Sequence, residues 1–321
     1  MALDISTTNF PDGISSFGIT TMGVGGLLPF AGRYIFVDAT LGNDGYPGTA
    51  NNPVATLTQA LALCGTGNKN DVIFVTGTIS LTATLEWSLN KTHLIGLTAP
   101  SNNDRARLSA SGTVFTPMVN VTGQGCIFAN IGTFYGFASA SAQICWHEAG
   151  GRNYYNSCQF MGMGNATAAA HVGSRSLKVS GSNGENRFVN CQIGLDTVTR
   201  SAVNASLEFS GAVMRNTFEN CRFPFMTSDA GALGILASGA GAIDRWQEFV
   251  GCKFINNIQS TSTQMSALTT LSASAGGLLL FKDCTMVGIT EFGTDATTRN
   301  QCYVDGGAPT AASTGIAVVP T

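Results

Sequence analysis

Apolar and polar residues alternate in short runs along most of this chain, and the runs resemble one another. Leu177-Lys178-Val179-Ser180-Gly181 is answered by Leu207-Glu208-Phe209-Ser210-Gly211, and more loosely by Ile235 to Gly239 and Leu271 to Gly276. A period of two puts alternate side chains on opposite faces of a strand, so each run predicts a short strand with one apolar face. A second kind of run turns a corner. In Phe188-Val189-Asn190-Cys191-Gln192-Ile193, a residue type that tolerates a left-handed backbone stands between the inward Phe188 and the inward Cys191 and Ile193. A strand bending at Asn190 therefore resumes with its apolar face toward the same core. The repeating region shows no sustained helical period.

The corner recurs with a clock. Cys126, Cys158, Cys191, Cys221, Cys252 and Cys284 follow one another at intervals of 32, 33, 30, 31 and 32 residues. Three before the cysteine stand Tyr155, Phe188, Phe218, Phe249 and Phe281; directly before it stand Gly125, Ser157, Asn190, Asn220, Gly251 and Asp283. Such self-similarity is the mark of a solenoid. Coils of roughly 31 residues, built from short strands and cornered at Gly or Asn, predict an all-β chain, a right-handed parallel β-helix. Its core ladder is expected to hold the six cysteines with Phe188, Phe218, Phe249 and Phe281. Asn190 and Asn220 are expected at the corner, and Asn153, Asn186, Asn216 and Gln247, five before the cysteine, in a column of stacked amides. Sandwiches and barrels would show hairpin turns every 8–12 residues or so and no thiol once per coil.

Charged residues make up 11% of the 321, against about 25% in ordinary soluble domains. So little charge suggests a lateral surface covered by partner subunits, although solenoids rich in Ser, Thr, Asn and Gly reach low charge without partners. The net charge of −3 and scattered Lys and Arg leave no basic stripe for nucleic acid. No apolar run approaches the ~18 residues of a membrane span, and Met1 to Phe10 carries no secretory signal pattern. The nine cysteines contain no C-x2-C pair, which argues against zinc. The six periodic ones are expected to stay reduced, as small hydrophobes. Cys64, Cys145 and Cys302 fall outside the clock and receive no role.

Residues 1–32 read as an extended attachment arm, 33–302 as the β-helix with its cap in 33–65, and 303–321 as an extended tail. Pro53 to Leu63 predicts a short helix with Thr56 as its cap. The run Val37-Asp38, Gly42-Asn43-Asp44-Gly45, Gly48-Thr49, Pro53, Ala55-Thr56-Leu57 and Ala60-Leu61 resembles the capping entry of right-handed parallel β-helix proteins, the pectate-lyase-like superfamily. That superfamily is common among bacteriophage virion proteins and secreted polysaccharide enzymes. In the phage case the resemblance implies a homotrimer of β-helices on the particle surface.

Polysaccharide-cleaving enzymes of this fold need carboxylates on neighbouring rungs, about 5–5.5 or 6.5–9.5 Å apart for glycoside hydrolysis. The column two before the cysteine reads Asn156, Val189, Glu219, Val250 and Lys282; the column one after it reads Gln159, Gln192, Arg222, Lys253 and Thr285. Neither holds two acids. Six before it, Arg152, Glu185, Arg215 and Trp246 form an alternating ladder suited to surface ion pairs. His147-Glu148 with Arg152 is a candidate acid/base cluster, read more simply as a solvated turn. Asp38, Asn43 and Asp44 are candidate calcium ligands, read more simply as local turn hydrogen bonds. His93 and His171 stand alone.

These observations lead to an expected non-enzyme with no catalytic, cofactor or metal site. It is expected to be a phage virion structural protein assembled in the host cytoplasm, most simply a trimeric decoration or cement protein of the head. Its partners would be itself and, through the arm, the major capsid protein or other virion proteins, with no nucleic acid and no membrane. The alternatives are a tailspike-type protein that degrades surface glycan, with Glu219 or Asp244 as residues to test, and a receptor-binding adhesin.

Overall fold

The computed structural model describes residues 15–16, 19–20, 32–99, 106–112, 114–237, 239–257, 262–272, 275–293 and 301–304. The arm expected over 1–32 and the tail expected over 303–321 lie almost wholly outside these residues. Within them the chain is a right-handed parallel β-helix. Three parallel sheets of 10, 8 and 8 strands run along its length. One coil visits each sheet once: Arg187–Val189 in the first, Gln192–Ile193 in the second and Ala205–Ser210 in the third. The next coil lays Asn216–Glu219, Arg222–Phe225 and Leu233–Ala237 beside them, in register. The first sheet ends on Cys302–Val304, two residues past the end expected for the β-helix.

The corner between first and second sheets forms as the sequence dictates. Asn130, Ser157, Asn190, Asn220, Gly251 and Asp283 all have φ between 52° and 62°. Asn, Asp and Gly accept that backbone at little cost, and each turns the chain without exchanging inward for outward faces. The inward aromatics then stack. Ring centroids of Phe128, Tyr155, Phe188, Phe218, Phe249 and Phe281 are 4.8, 4.5, 4.6, 4.8 and 5.0 Å apart in turn, with interplanar angles of 14° or less. The rung spacing of about 4.8 Å sets that distance.

The amides stack too. Asn186 Oδ1 accepts from Asn153 N at 2.9 Å, and Asn216 Oδ1 accepts from N and Nδ2 of Asn186 at 3.0 and 2.9 Å. Gln247 Oε1 accepts from Asn216 Nδ2 at 2.7 Å. All four residues are buried, so the column satisfies backbone N–H groups that the strand ladder leaves over.

The thiol column differs from expectation at its first member. Phe128 pairs with Tyr155, Gly132 pairs with Gln159, and Gln159 N donates to Ile131 O. Ile131, not Cys126, therefore sits above Cys158. Cys126 lies above Asn153 and donates its N–H to Asn153 Oδ1 at 2.8 Å, at the head of the amide column. The mistake has a physical source: Gly125-Cys126-Ile127-Phe128 imitates the corner motif, but the true corner of that coil is Asn130-Ile131. The column proper is Cys158, Cys191, Cys221, Cys252 and Cys284, all reduced. Each Sγ donates to a carbonyl of the preceding coil, from Phe128 O for Cys158 to Phe249 O for Cys284, at 3.3–3.7 Å.

The helix Leu57–Cys64 closes the N-terminal end of the core with Leu57, Ala60 and Cys64 buried. Thr56 Oγ1 caps it by accepting from Gln59 N at 3.1 Å. No helix among the described residues is long and apolar enough to cross a membrane.

Candidate functional site

Stacking turns one residue type into a line. Outside the corner, Ser157, Asn190, Asn220 and Gly251 form one row and Gln159, Gln192, Arg222 and Lys253 a second. Together they line a trough of about 470 Å³. Register fixes the second row: Gln159 pairs with Gln192, Gln192 with Arg222, and Arg222 with Lys253. Four rungs at about 4.8 Å extend the trough roughly 14 Å along the axis. Its lining residues include two cations, several amides and one hydroxyl, and none is Asp or Glu. Such a surface can hydrogen-bond hydroxyls and attract carboxylates; it supplies no acid/base pair.

Polar side chains also line the outer face of the third sheet. Asn120 Nδ2 donates to Glu86 Oε2 at 2.6 Å, and His147 Nε2 lies 2.6 Å from Ser180 Oγ. Glu208 is shared by Arg175 at 2.6 Å and Lys178 at 3.1 Å. Burial, then the Lys178 ammonium, lowers the His147 pKa. A neutral imidazole beside a hydroxyl has the reach of a general base. Nearby, Arg200 is only 2% exposed and its charge rests on Leu233 O at 3.1 Å and the Phe225 ring at 5.2 Å.

The candidate His147, Glu148 and Arg152 diverge. His147 faces Ser180, and Arg152 reaches out to Glu185 at 2.9 Å, with Arg215 on the other oxygen at 2.8 Å. Glu148 is fully buried, which corrects the solvated turn expected there. Its carboxylate accepts from Tyr155 Oη, from Gly150 N and Gly151 N at 2.8 and 2.7 Å, and from Asn153 Nδ2. Burial pushes its pKa up to about 7, against the pull of those four donors.

Local turn bonds occupy the calcium candidates. Asp38 Oδ1 accepts from Thr40 N and Leu41 N, Asn43 Oδ1 from Gly45 N, and Asp44 Oδ1 from Ala55 N and Thr56 N, all at 2.8–3.0 Å. Among the described residues no three His, Cys, Asp or Glu side chains converge as a metal site would require. His93 is buried, accepts from Ile127 N at 3.0 Å, and has its pKa lowered to about 4 by burial. His171 Nδ1 accepts from Gly173 N at 2.9 Å. Glu219 pairs with Arg187 at 2.6 Å and Asp244 with Arg245 at 3.5 Å, on separate coils.

No protein-family model matches the chain, and neither does any curated protein sequence. Solved structures do. A pectin methylesterase solved in complex with a hexasaccharide is 14% identical, with a TM-score of 0.52 over 82% of each chain. A rhamnogalacturonan lyase is 14% identical at a TM-score of 0.46, over 83% of this chain and 64% of its own length. The expectation of a non-enzyme is corrected by the first of these, since the protein sharing the fold is an enzyme. The expectation had rested on missing acid pairs in repeating columns, a criterion that leaves other chemistry, such as His147 beside Ser180, unexamined. At this identity the likeness establishes the architecture: a right-handed parallel β-helix, the fold of a pectin methylesterase.

Proposed function

We propose that this chain is a carbohydrate-active β-helix protein of the tailspike type, which holds an acidic polysaccharide along the trough. The observation that carries the reading is the in-register row Gln159, Gln192, Arg222 and Lys253. A polymer with repeated hydroxyls and carboxylates meets repeated amides and cations at the spacing of the coils. Carboxylates of the polymer would be bound by Arg222 and Lys253 and its hydroxyls by the amides. Charge-assisted hydrogen bonds contribute roughly 1.5–3 kcal/mol each, less where both partners are exposed.

Calorimetric titration with a polyuronate and a neutral glucan tests this. The polyuronate is expected to bind with an affinity that falls as salt rises, and the glucan to bind more weakly. The double variant Arg222→Ala/Lys253→Ala is expected to lose about tenfold or more in polyuronate affinity, the equivalent of about 1.4 kcal/mol. Unchanged affinity in that variant would sink the proposal. Reducing-end release in the same samples reads whether the held polymer is also cut.

A further inference from the structure

The cationic row does not end with the trough. Gln159 pairs with Gly132, Gly132 with Arg107, and Arg107 with Thr78, so three more rungs continue the row toward the N-terminal end. Leu108 and Thr133, the next residues along those strands, are fully buried. Arg107 and Gly132 therefore face outward, on the same side of the sheet as Arg222 and Lys253. At the other end Lys253 pairs with Thr285. Over these eight rungs the row holds three cations and no Asp or Glu.

Arg107 is held by an aromatic ring rather than by a carboxylate. Its guanidinium carbon lies 5.9 Å from the centroid of the Phe134 ring, and among the described residues no acid pairs with it. Its Nε is shielded from water and meets no acceptor. Phe134 in turn is seated between two glycines. A Cβ at Gly136 or Gly164 would stand 2.2 or 2.6 Å from its ring, a clash that no ordinary contact tolerates. Neither glycine has a positive φ, so what each supplies is space for the ring. A guanidinium resting on an aromatic face keeps the edge of its planar fork for a carboxylate, which it binds bidentately.

We propose that Arg107, carried on Phe134, is a distal subsite for the acidic polysaccharide held in the trough, and binds a carboxylate four rungs, roughly 19 Å, from Arg222. The proposal rests on the trough reading and adds a length requirement to it. Gly132, with no side chain, leaves the path between the two sites open. A chain anchored at Arg222 and Lys253 gains Arg107 only if it is long enough to cross the intervening rungs. The second contact is then made within one complex and strengthens the first. A uronic acid disaccharide is too short to make both.

Calorimetric titration of wild type, Arg107→Ala and Arg107→Lys with that disaccharide and with a long polyuronate tests the subsite. For the polyuronate, Arg107→Ala is expected to lose about fivefold or more in affinity. Arg107→Lys, which keeps the charge without the fork, is expected to recover only part of the loss. For the disaccharide all three proteins are expected to agree, which also shows that the trough is intact in the variants. A polyuronate affinity of Arg107→Ala within about twofold of wild type, or an equal loss for both ligands, would overturn the subsite and leave the trough standing. If Arg222→Ala/Lys253→Ala binds the polyuronate as wild type does, the trough reading itself fails and the subsite falls with it.

Discussion

Phe218→Ala is expected to destabilise the chain by about 3–5 kcal/mol, the range for emptying a buried aromatic site. Phe218 is fully buried at the middle of the aromatic column. Phe188 stacks on one face at 4.6 Å and 2°, Phe249 on the other at 4.8 Å and 10°. Phe209 and Phe223 pack near its edges at 6.1 and 6.3 Å. Removing the ring leaves a gap that neighbours cannot close, because the strand ladder fixes both adjacent rungs. Each lost aromatic pair adds about 0.5–1.5 kcal/mol beyond area burial. Phe281→Ala is the comparison, since Phe281 has one stacked ring, Phe249 at 5.0 Å, with Phe254 at its edge at 6.0 Å and a tilted contact with Phe292. Urea unfolding is expected to show the larger loss for Phe218. In a solenoid each coil leans only on its neighbours, so hydrogen exchange should quicken first in the coils flanking the gap. A loss below about 1 kcal/mol would mean that the column does not behave as a packed stack.

Between pH 4.5 and 7 the Glu148 carboxyl is expected to withdraw about 3 kcal/mol of stability as pH rises. Its pKa is raised from 4.5 to about 7 by burial. The folded chain thus holds a proton that the unfolded chain has already lost. That contribution is complete below pH 4.5 and is gone once the pH exceeds about 7. His93 acts in the opposite direction. Its pKa is lowered from 6.5 to about 4, so it costs stability as pH falls below 6.5. The two nearly cancel between pH 4.5 and 6.5 in the wild-type chain. The measurement is therefore a difference: unfolding free energy of wild type minus Glu148→Gln, across pH 4.5 to 8. The difference is expected to become more negative by about 3 kcal/mol between pH 4.5 and 7 and to level off above that. A difference independent of pH would show that Glu148 does not titrate in this range.

How much of this could be read beforehand depended on whether a feature repeats. The corner at Asn190 and Asn220, the aromatic column and the amide column all recur once per coil, and repetition turns a weak local signal into a register. The same logic misled at Cys126, where a Gly-Cys-x-Phe tetrapeptide copies the corner five residues too early. Only the pairing of Phe128 with Tyr155 exposes the shift. Glu148 was illegible for another reason. A carboxylate followed closely by Gly150, Gly151 and Arg152 looks like a solvated turn; the donors that hold it inside include Tyr155 and Asn153, which become its neighbours only when the coil closes. In the Arg175–Glu208–Lys178 group, Lys178 and Glu208 hold equivalent places in the two aligned runs and do pair in register, whereas Arg175 stands before its run and joins Glu208 only in the folded sheet. The trough was in plain view. The row Gln159, Gln192, Arg222 and Lys253 failed a search for paired acids, and the same row read for cations and amides describes a surface for an acidic polymer.

Hydrogen–deuterium exchange with and without a polyuronate addresses that surface most directly. Protection is expected in four separated segments, around residues 157–159, 190–192, 220–222 and 251–253, recurring once per coil. Protection on the third sheet alone, or none at saturating polymer, would contradict the account.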